Sequence, residues 1–322
     1  ERARSQQVRR SATDALKSDF RTALREVEPA WVARLVHAGS AVIDEFVVWI
    51  LKHVPQLVQS KFRELGLHDA VLRLFASRSS EARGFAVEYV RTHARDVPLP
   101  LLIRLADNSD DAVQKLACDL LQERDPRKEI GIESWGRLLD TEGGQTLAAE
   151  ILRKHFTAAE LTPEWFQERL LEESDAAREF AREHLTRVHP VKSLGPGYFV
   201  QLVERTATKG ELIESYCDAS EVIAFALGEL ERFDLQKLET DALKLLLLQA
   251  DACVHLLRWI DEGKLKPTAF PVDFLKTIAF HPDWDASAEI ARWKQNDWAR
   301  RLAFSESLSQ KVLGWLGDVR AF

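Results

Sequence analysis

Four stretches of the chain superimpose without a gap: Ser79-Ser-Glu-Ala-Arg-Gly-Phe-Ala86, Asp110-Asp-Ala-Val-Gln-Lys-Leu-Ala117, Thr141-Glu-Gly-Gly-Gln-Thr-Leu-Ala148 and Ser174-Asp-Ala-Ala-Arg-Glu-Phe-Ala181. Their closing alanines stand 31, 31 and 33 residues apart, a period that belongs to stacked supersecondary units. Each stretch opens on Ser, Asp or Thr, the residues whose side chains accept a bond from an unpaired amide at a helix N-terminus. Each closes with Phe or Leu beside a small alanine. Further apolar residues follow one turn on: Tyr89 and Val90, Leu120 and Leu121, Ile151 and Leu152, and Leu185. That spacing predicts an amphipathic helix of about 12 to 15 residues starting near Ser79, Asp110, Thr141 and Ser174. The recurring alanine marks a point where a neighbouring helix crosses closely.

Working outward, a second apolar helix is expected ahead of each stretch, over Leu99 to Ala106, Ile132 to Leu139, Pro163 to Leu171 and Tyr198 to Arg205. Thr162 followed by Pro163 reads as a cap and the first helical residue. Weaker copies of the unit flank these, at Ser40 to Val47 and Ser220 to Ala226. Alternating Val/Ile/Thr runs between hairpin turns are nearly absent. The fold class expected is therefore all-α, built from stacked antiparallel helix pairs.

The segment Asp110-x-x-Val-Gln-x-x-Ala117, continuing into Leu120-Leu121, resembles the second helix of a HEAT-like repeat in its short bacterial form. The family pattern places Arg after the valine. Here Arg83 and Arg178 hold that place, whereas Gln114 and Gln145 stand in the two middle copies. The resemblance is good over residues 79 to 190, about a third of the chain. It implies an α-solenoid that binds a partner along its concave surface.

The chain has 322 residues, enough for about two domains or one elongated array. Lys and Arg number 44 against 51 Asp and Glu, for a net charge of −7. That acidity argues against a surface built throughout to coat nucleic acid. Cys118, Cys217 and Cys253 form no C-x-x-C pair, which speaks against a disulfide framework or a zinc site and for a reducing, cytoplasmic setting. The most apolar run, Phe46 to Leu51, is six residues against the ~18 a membrane span needs. Glu1-Arg-Ala-Arg-Ser5 has no apolar run behind it and does not read as a secretory leader. No membrane partner is expected.

Along the chain, residues 1 to 78 read as an N-terminal helical cap with degenerate repeats, 79 to 190 as regular repeats, and 191 to 322 as enlarged C-terminal repeats with a cap. Residues 1 to 28 carry Val8, Ala12, Leu16, Phe20, Leu24 and Val27 at helical spacing and predict one amphipathic helix. Pro190 to Gly197 is the clearest break. From Leu235 to Ile260 a long helical pattern, apolar nearly all round at Leu245 to Leu248, predicts a buried helix.

No H-E-x-x-H, G-x-S-x-G, Walker or G-x-G-x-x-G motif occurs, and Gly143-Gly144 stands alone in a turn. Asp251 and His255 could share a helix face but lack a third metal ligand. His184 and His189 bracket a helix end and do not converge. Trp135-Gly136-Arg137 falls in a repeat helix, unlike the mainly β domain named for that string. No catalytic residue, metal site or cofactor is assigned.

Charge is more informative. The second helices begin acidic and end basic, at Arg91 and Arg95, Arg124 and Arg127, Arg153 and Lys154, and Arg187. Two readings stand: these charges complement the helix dipole at ~0.3–1 kcal/mol each, or the stacked ends form an anion- or nucleic-acid-binding edge. Near the C-terminus, Trp293 and Trp298 lie about 140° apart on a helix. With Arg292, Arg300 and Arg301 they make a candidate partner patch. The function expected is a non-enzymatic scaffold or adaptor binding a macromolecule, a protein ahead of a nucleic acid. The alternative is a nucleic-acid-binding protein similar to the HEAT-like alkylpurine DNA glycosylases. Those enzymes need an acidic catalytic residue and aromatics in a strongly basic groove, and no such Asp and Trp pair can be singled out here.

Overall fold

A computed structural model describes residues 5–172, 174–210, 216–280 and 308–317, and among these no strand occurs. Contacts divide the chain into two compact units, Glu1–Phe156 and Thr157–Phe322. The first holds α1 (Gln6–Ser18), α2 (Arg21–Leu24), α3 (Pro29–Leu35), α4 (Ala41–His53), α5 (His68–Arg73), α6 (Ser80–His93), α7 (Leu99–Ala106), α8 (Asp111–Gln122), α9 (Ile132–Leu138) and α10 (Gln145–His155). The second holds α11 (Pro163–Leu170), α12 (Asp175–Val188), α13 (Val191–Gly210), α14 (Tyr216–Leu230), α15 (Thr240–Leu248), α16 (Ala250–Asp261) and α17 (Val272–Phe280), with a further helical stretch over 308–317.

Helices pair in sequence: α7 with α8, α9 with α10, α11 with α12, α13 with α14 and α15 with α16. In the first unit α6 also packs on α4 and α8, and α7 packs on α9. In the second, α13 packs on α15 and α14 on α16. The residue pattern explains these contacts. Ala86, Ala117, Ala148 and Ala181 are each 0% exposed, and Phe85, Leu116, Leu147 and Phe180 beside them are buried. A larger side chain at these fully buried positions would press the packed helices apart, so the repeated alanine meets a packing need.

The caps follow the repeat. Ser79 Oγ accepts from the Ala82 amide at 3.4 Å, Ser174 Oγ from Ala177 at 3.3 Å and an Asp110 oxygen from Ala112 at 3.0 Å. Thr141 caps in the same way, accepting from the Gly144 amide at 3.1 Å, but α10 starts at Gln145 instead of beside it. Tertiary contact decides this. The Gly143 amide donates to the Ala106 carbonyl at 3.0 Å, which holds residues 141–144 as a turn against the end of α7.

Two expected helices are broken. Within the stretch expected as one helix, the described residues 5 to 28 form α1 and α2, because the Asp19 amide closes α1 on the Ala15 carbonyl and Phe20 leaves helical geometry. Residues 235 to 260 form a 3₁₀ turn at Leu235–Lys237, then α15 and α16, separated at Gln249 with ψ 120°. An unbroken helix of that length would run about 39 Å. The break lets α16 return along α15 and α14, and it leaves Leu248 exposed. The break expected at Pro190 to Gly197 falls at Gly195, whose φ of 75° and ψ of 164° sit directly before Pro196. Only glycine takes that φ without strain, and proline excludes the α region for the residue ahead of it.

Candidate binding cleft

A polar seam runs between the repeats of the first unit. Arg83 lies four residues after its cap, donating from Nε to Asp110 Oδ2 at 2.7 Å and from Nη1 to the Ser77 carbonyl at 2.8 Å. Asp110 is itself the cap of α8, so one guanidinium ties α6 to the start of the next second helix. Both side chains are 19% exposed, and the Arg83 guanidinium holds the Asp110 carboxyl below its usual range. Arg178 repeats half of the arrangement in the second unit, with its carboxylate partner in its own helix. Its Nη1 donates to the Glu172 carbonyl at 2.7 Å, six residues back as in Arg83 to Ser77, and its Nη2 pairs with Asp175.

The same register in the α4 copy, four residues after Ser40, holds Asp44 in place of an arginine. Asp44 is 5% exposed. The Ser77 hydroxyl donates to its Oδ2 at 2.6 Å, while Oδ1 is buried without a partner. Burial pushes the Asp44 carboxyl up, against the lowering effect of Ser77. Ser77 Oγ in turn accepts from the Ser79 amide at 3.1 Å. One repeat later Asn108 does the same for Asp110 at 3.0 Å and donates back to the Phe75 carbonyl at 3.2 Å.

This seam forms one wall of a cleft of about 560 Å³ between the Val36–Ala38 turn, the Leu74–Ala76 turn and α7. Its lining is mainly apolar: Val36, Leu72, Phe75, Leu101 and Leu105. Arg73 and Arg104 stand exposed in the lining, and Arg73 Nη1 donates to His37 Nδ1 at 2.9 Å. Neither arginine has a carboxylate partner among the described residues. By contrast Arg63 pairs with Asp96, Arg83 with Asp110 and Arg95 with Glu123. Reading the sequence motif by motif missed this cleft, although a signal was present: Arg73 and Arg104 are 31 residues apart, the repeat period, as are Ser77 and Asn108.

The basic helix ends scatter in their roles. Arg95 is engaged by Glu123, Arg124 donates to the Val97 carbonyl, and Arg127 lies over the Phe156 ring at 5.9 Å. Arg91, Arg153 and Lys154 are exposed in the last turns of α6 and α10, and Arg187 is exposed in α12 of the second unit. Trp293, Trp298, Arg292, Arg300 and Arg301 lie outside the described residues. Trp259 is fully buried and donates from Nε1 to Glu231 at 2.6 Å, a core role. Trp135 is buried in α9, bonded to the Pro126 carbonyl at 3.0 Å.

Charge divides unevenly between the units. The first has 24 basic and 23 acidic residues, net +1, and the second 20 and 28, net −8. Among the described residues no group of three or more His, Cys, Asp or Glu could hold a metal ion, and no helix is long and apolar enough to cross a membrane. No protein-family model, curated protein or solved structure matches the chain.

Proposed function

We propose that the chain is a HEAT-like α-solenoid without catalytic activity of its own, which holds a protein partner. The observation that carries this reading is the repeat itself: four gapless copies with their alanines fully buried, and, in the first unit, α6 packed on α4 and α8 and α7 packed on α9, one repeat away. Stacking of this kind extends a surface far beyond what a compact domain of equal length offers, and such surfaces serve binding. Solution scattering tests the architecture. A compact body of 322 residues would have a radius of gyration of about 20 Å, so a solenoid should lie clearly above that value.

A protein is favoured over a nucleic acid because Arg95 and Arg124, central to the basic edge, are already bonded within the chain. A photo-crosslinking residue placed in turn at Arg73, Arg91, Arg104 and Lys154 tests this in native cells. Adducts containing a second polypeptide are expected. Nuclease-sensitive adducts would transfer the assignment to the nucleic-acid reading, and no adduct at any position would overturn a binding role.

A further inference from the structure

We propose that the cleft between the Val36–Ala38 turn, the Leu74–Ala76 turn and α7 is the docking site for a partner segment in which apolar side chains are flanked by carboxylates. The inference rests on the protein-binding reading above and adds the chemistry of what is bound. Three observations support it. The lining is apolar over Leu72, Phe75, Leu101 and Leu105, so an inserted aliphatic or aromatic side chain would lose water against that face, while Asp44, Ser77 and Asn108 stay on the seam wall, where Ser77 and Asn108 already hold bonds within the chain. Arg73 and Arg104 lie in that lining without an acidic partner, whereas Arg63, Arg83 and Arg95 each have one. The unit that holds the cleft is net +1 in a chain that is −7, so an acidic segment meets its least repulsive surface here.

A cationic segment fits poorly, because Arg73 and Arg104 would both have to be passed. A volume of about 560 Å³ is the size of a pocket for a few side chains and is too small for a helix laid along its length. The guanidinium fork suits a carboxylate bidentately, and two forks one repeat apart would hold carboxylates on either side of the apolar insert.

The experiment is fluorescence anisotropy on the full chain with a labelled acetyl-Asp-Glu-Leu-Phe-Glu-Asp-amide peptide. Matched peptides carry Asn and Gln in place of the acids, Lys in place of the acids, or Ala-Ala in place of Leu-Phe. Binding of the acidic peptide is expected to weaken with salt, and each substituted peptide should bind about tenfold or more weaker. Arg73→Glu with Arg104→Glu should abolish binding. Arg104→Ala alone, which removes no side-chain hydrogen bond or ion pair within the described residues, should weaken it by about threefold. Reversal of Arg91 and Lys154, exposed elsewhere in the same unit, should change little. Equal binding of the lysine peptide, or an equal effect from the Arg91 and Lys154 reversal, would overturn the proposal. So would no acidic-peptide binding at millimolar concentration. If crosslinks still capture a polypeptide in that last case, only the cleft assignment fails.

Discussion

Ala117→Leu puts three extra carbons at a position that is 0% exposed, on the face of α8 that meets its neighbours. The site has no space to give. Val113, Leu116, Leu120 and Leu121 on the same helix are buried, and α6 and α7 close the other sides. Overpacking of this kind costs about 1–3 kcal/mol. In a unit of this length each kcal/mol moves the melting temperature by about 2–4 °C, so a fall of about 2–12 °C is expected by calorimetry or circular dichroism. Ala112→Leu is the matched control. It adds the same atoms to the same helix at an exposed position, where Leu is nearly as good a helix former as Ala, and the change should stay within about 0.5 kcal/mol. If Ala117→Leu melts with the wild type, or if the two variants fall together, the alanine is not where helices cross and the repeat register is wrong.

Arg83→Met removes two charge-assisted bonds at once and should cost about 1.5–3 kcal/mol in a urea melt, with Arg83→Lys recovering only part because an ammonium lacks the fork. Gly143→Ala would place a Cβ 2.8 Å from the Ala106 carbonyl oxygen and 2.7 Å from Gln114 Cβ, so the turn must move, and a loss of about 1–3 kcal/mol is expected. The raised pKa of Asp44 means the folded chain holds that proton more tightly than the unfolded one, so its effect on stability turns unfavourable as pH climbs from 3.8 through the raised value. Asp44→Asn should therefore remove that decline and leave the chain at least as stable at pH 7; a clear loss at pH 7 would contradict this. In the second unit, Trp259→Phe deletes the donor to Glu231 from a buried site and should cost about 1–3 kcal/mol, read by the same melt.

The helix pairs were legible because their signal is local and repeated. A capping side chain, a small residue seven positions on and an apolar pair one turn later recur in register, and each maps to one physical need. What escaped the reading depends on residues far apart in sequence. Gly143-Gly144 weakens a helix start after Thr141, but what holds these residues as a turn is the bond from Gly143 to Ala106, 37 residues back. Gln249 is neither Gly nor Pro, and the turn there exists because α16 packs against α14 and α15. The cleft was hidden for a related reason. Leu72 and Arg73 end α5 while Leu101 and Arg104 lie in α7, each pair unremarkable among its own neighbours, and only packing between the two elements brings them to one opening.

The repeats hold one seam constant and vary the other. Alanine fills the crossing position in all four copies, since any larger residue would separate the helices that make the fold. Four residues after the cap the chain carries Asp44, Arg83, Gln114, Gln145 and Arg178 in turn. Three of these settle their junctions in three different ways. Arg83 reaches forward to the next cap, Gln114 lies against the Gly143 turn, and Asp44 accepts from Ser77 with one oxygen left buried. In the stacked array proposed above, stability would be a sum of unit and nearest-neighbour terms, so a costly junction could be carried by its neighbours without unfolding the rest. The buried, half-satisfied carboxylate is such a junction, and it stands at the wall of the cleft where Arg73 and Arg104 lack acidic partners. Tolerance of a weak seam beside well-packed ones lets the chain depart from its own pattern at the cleft, the place where the proposed partner segment would be held.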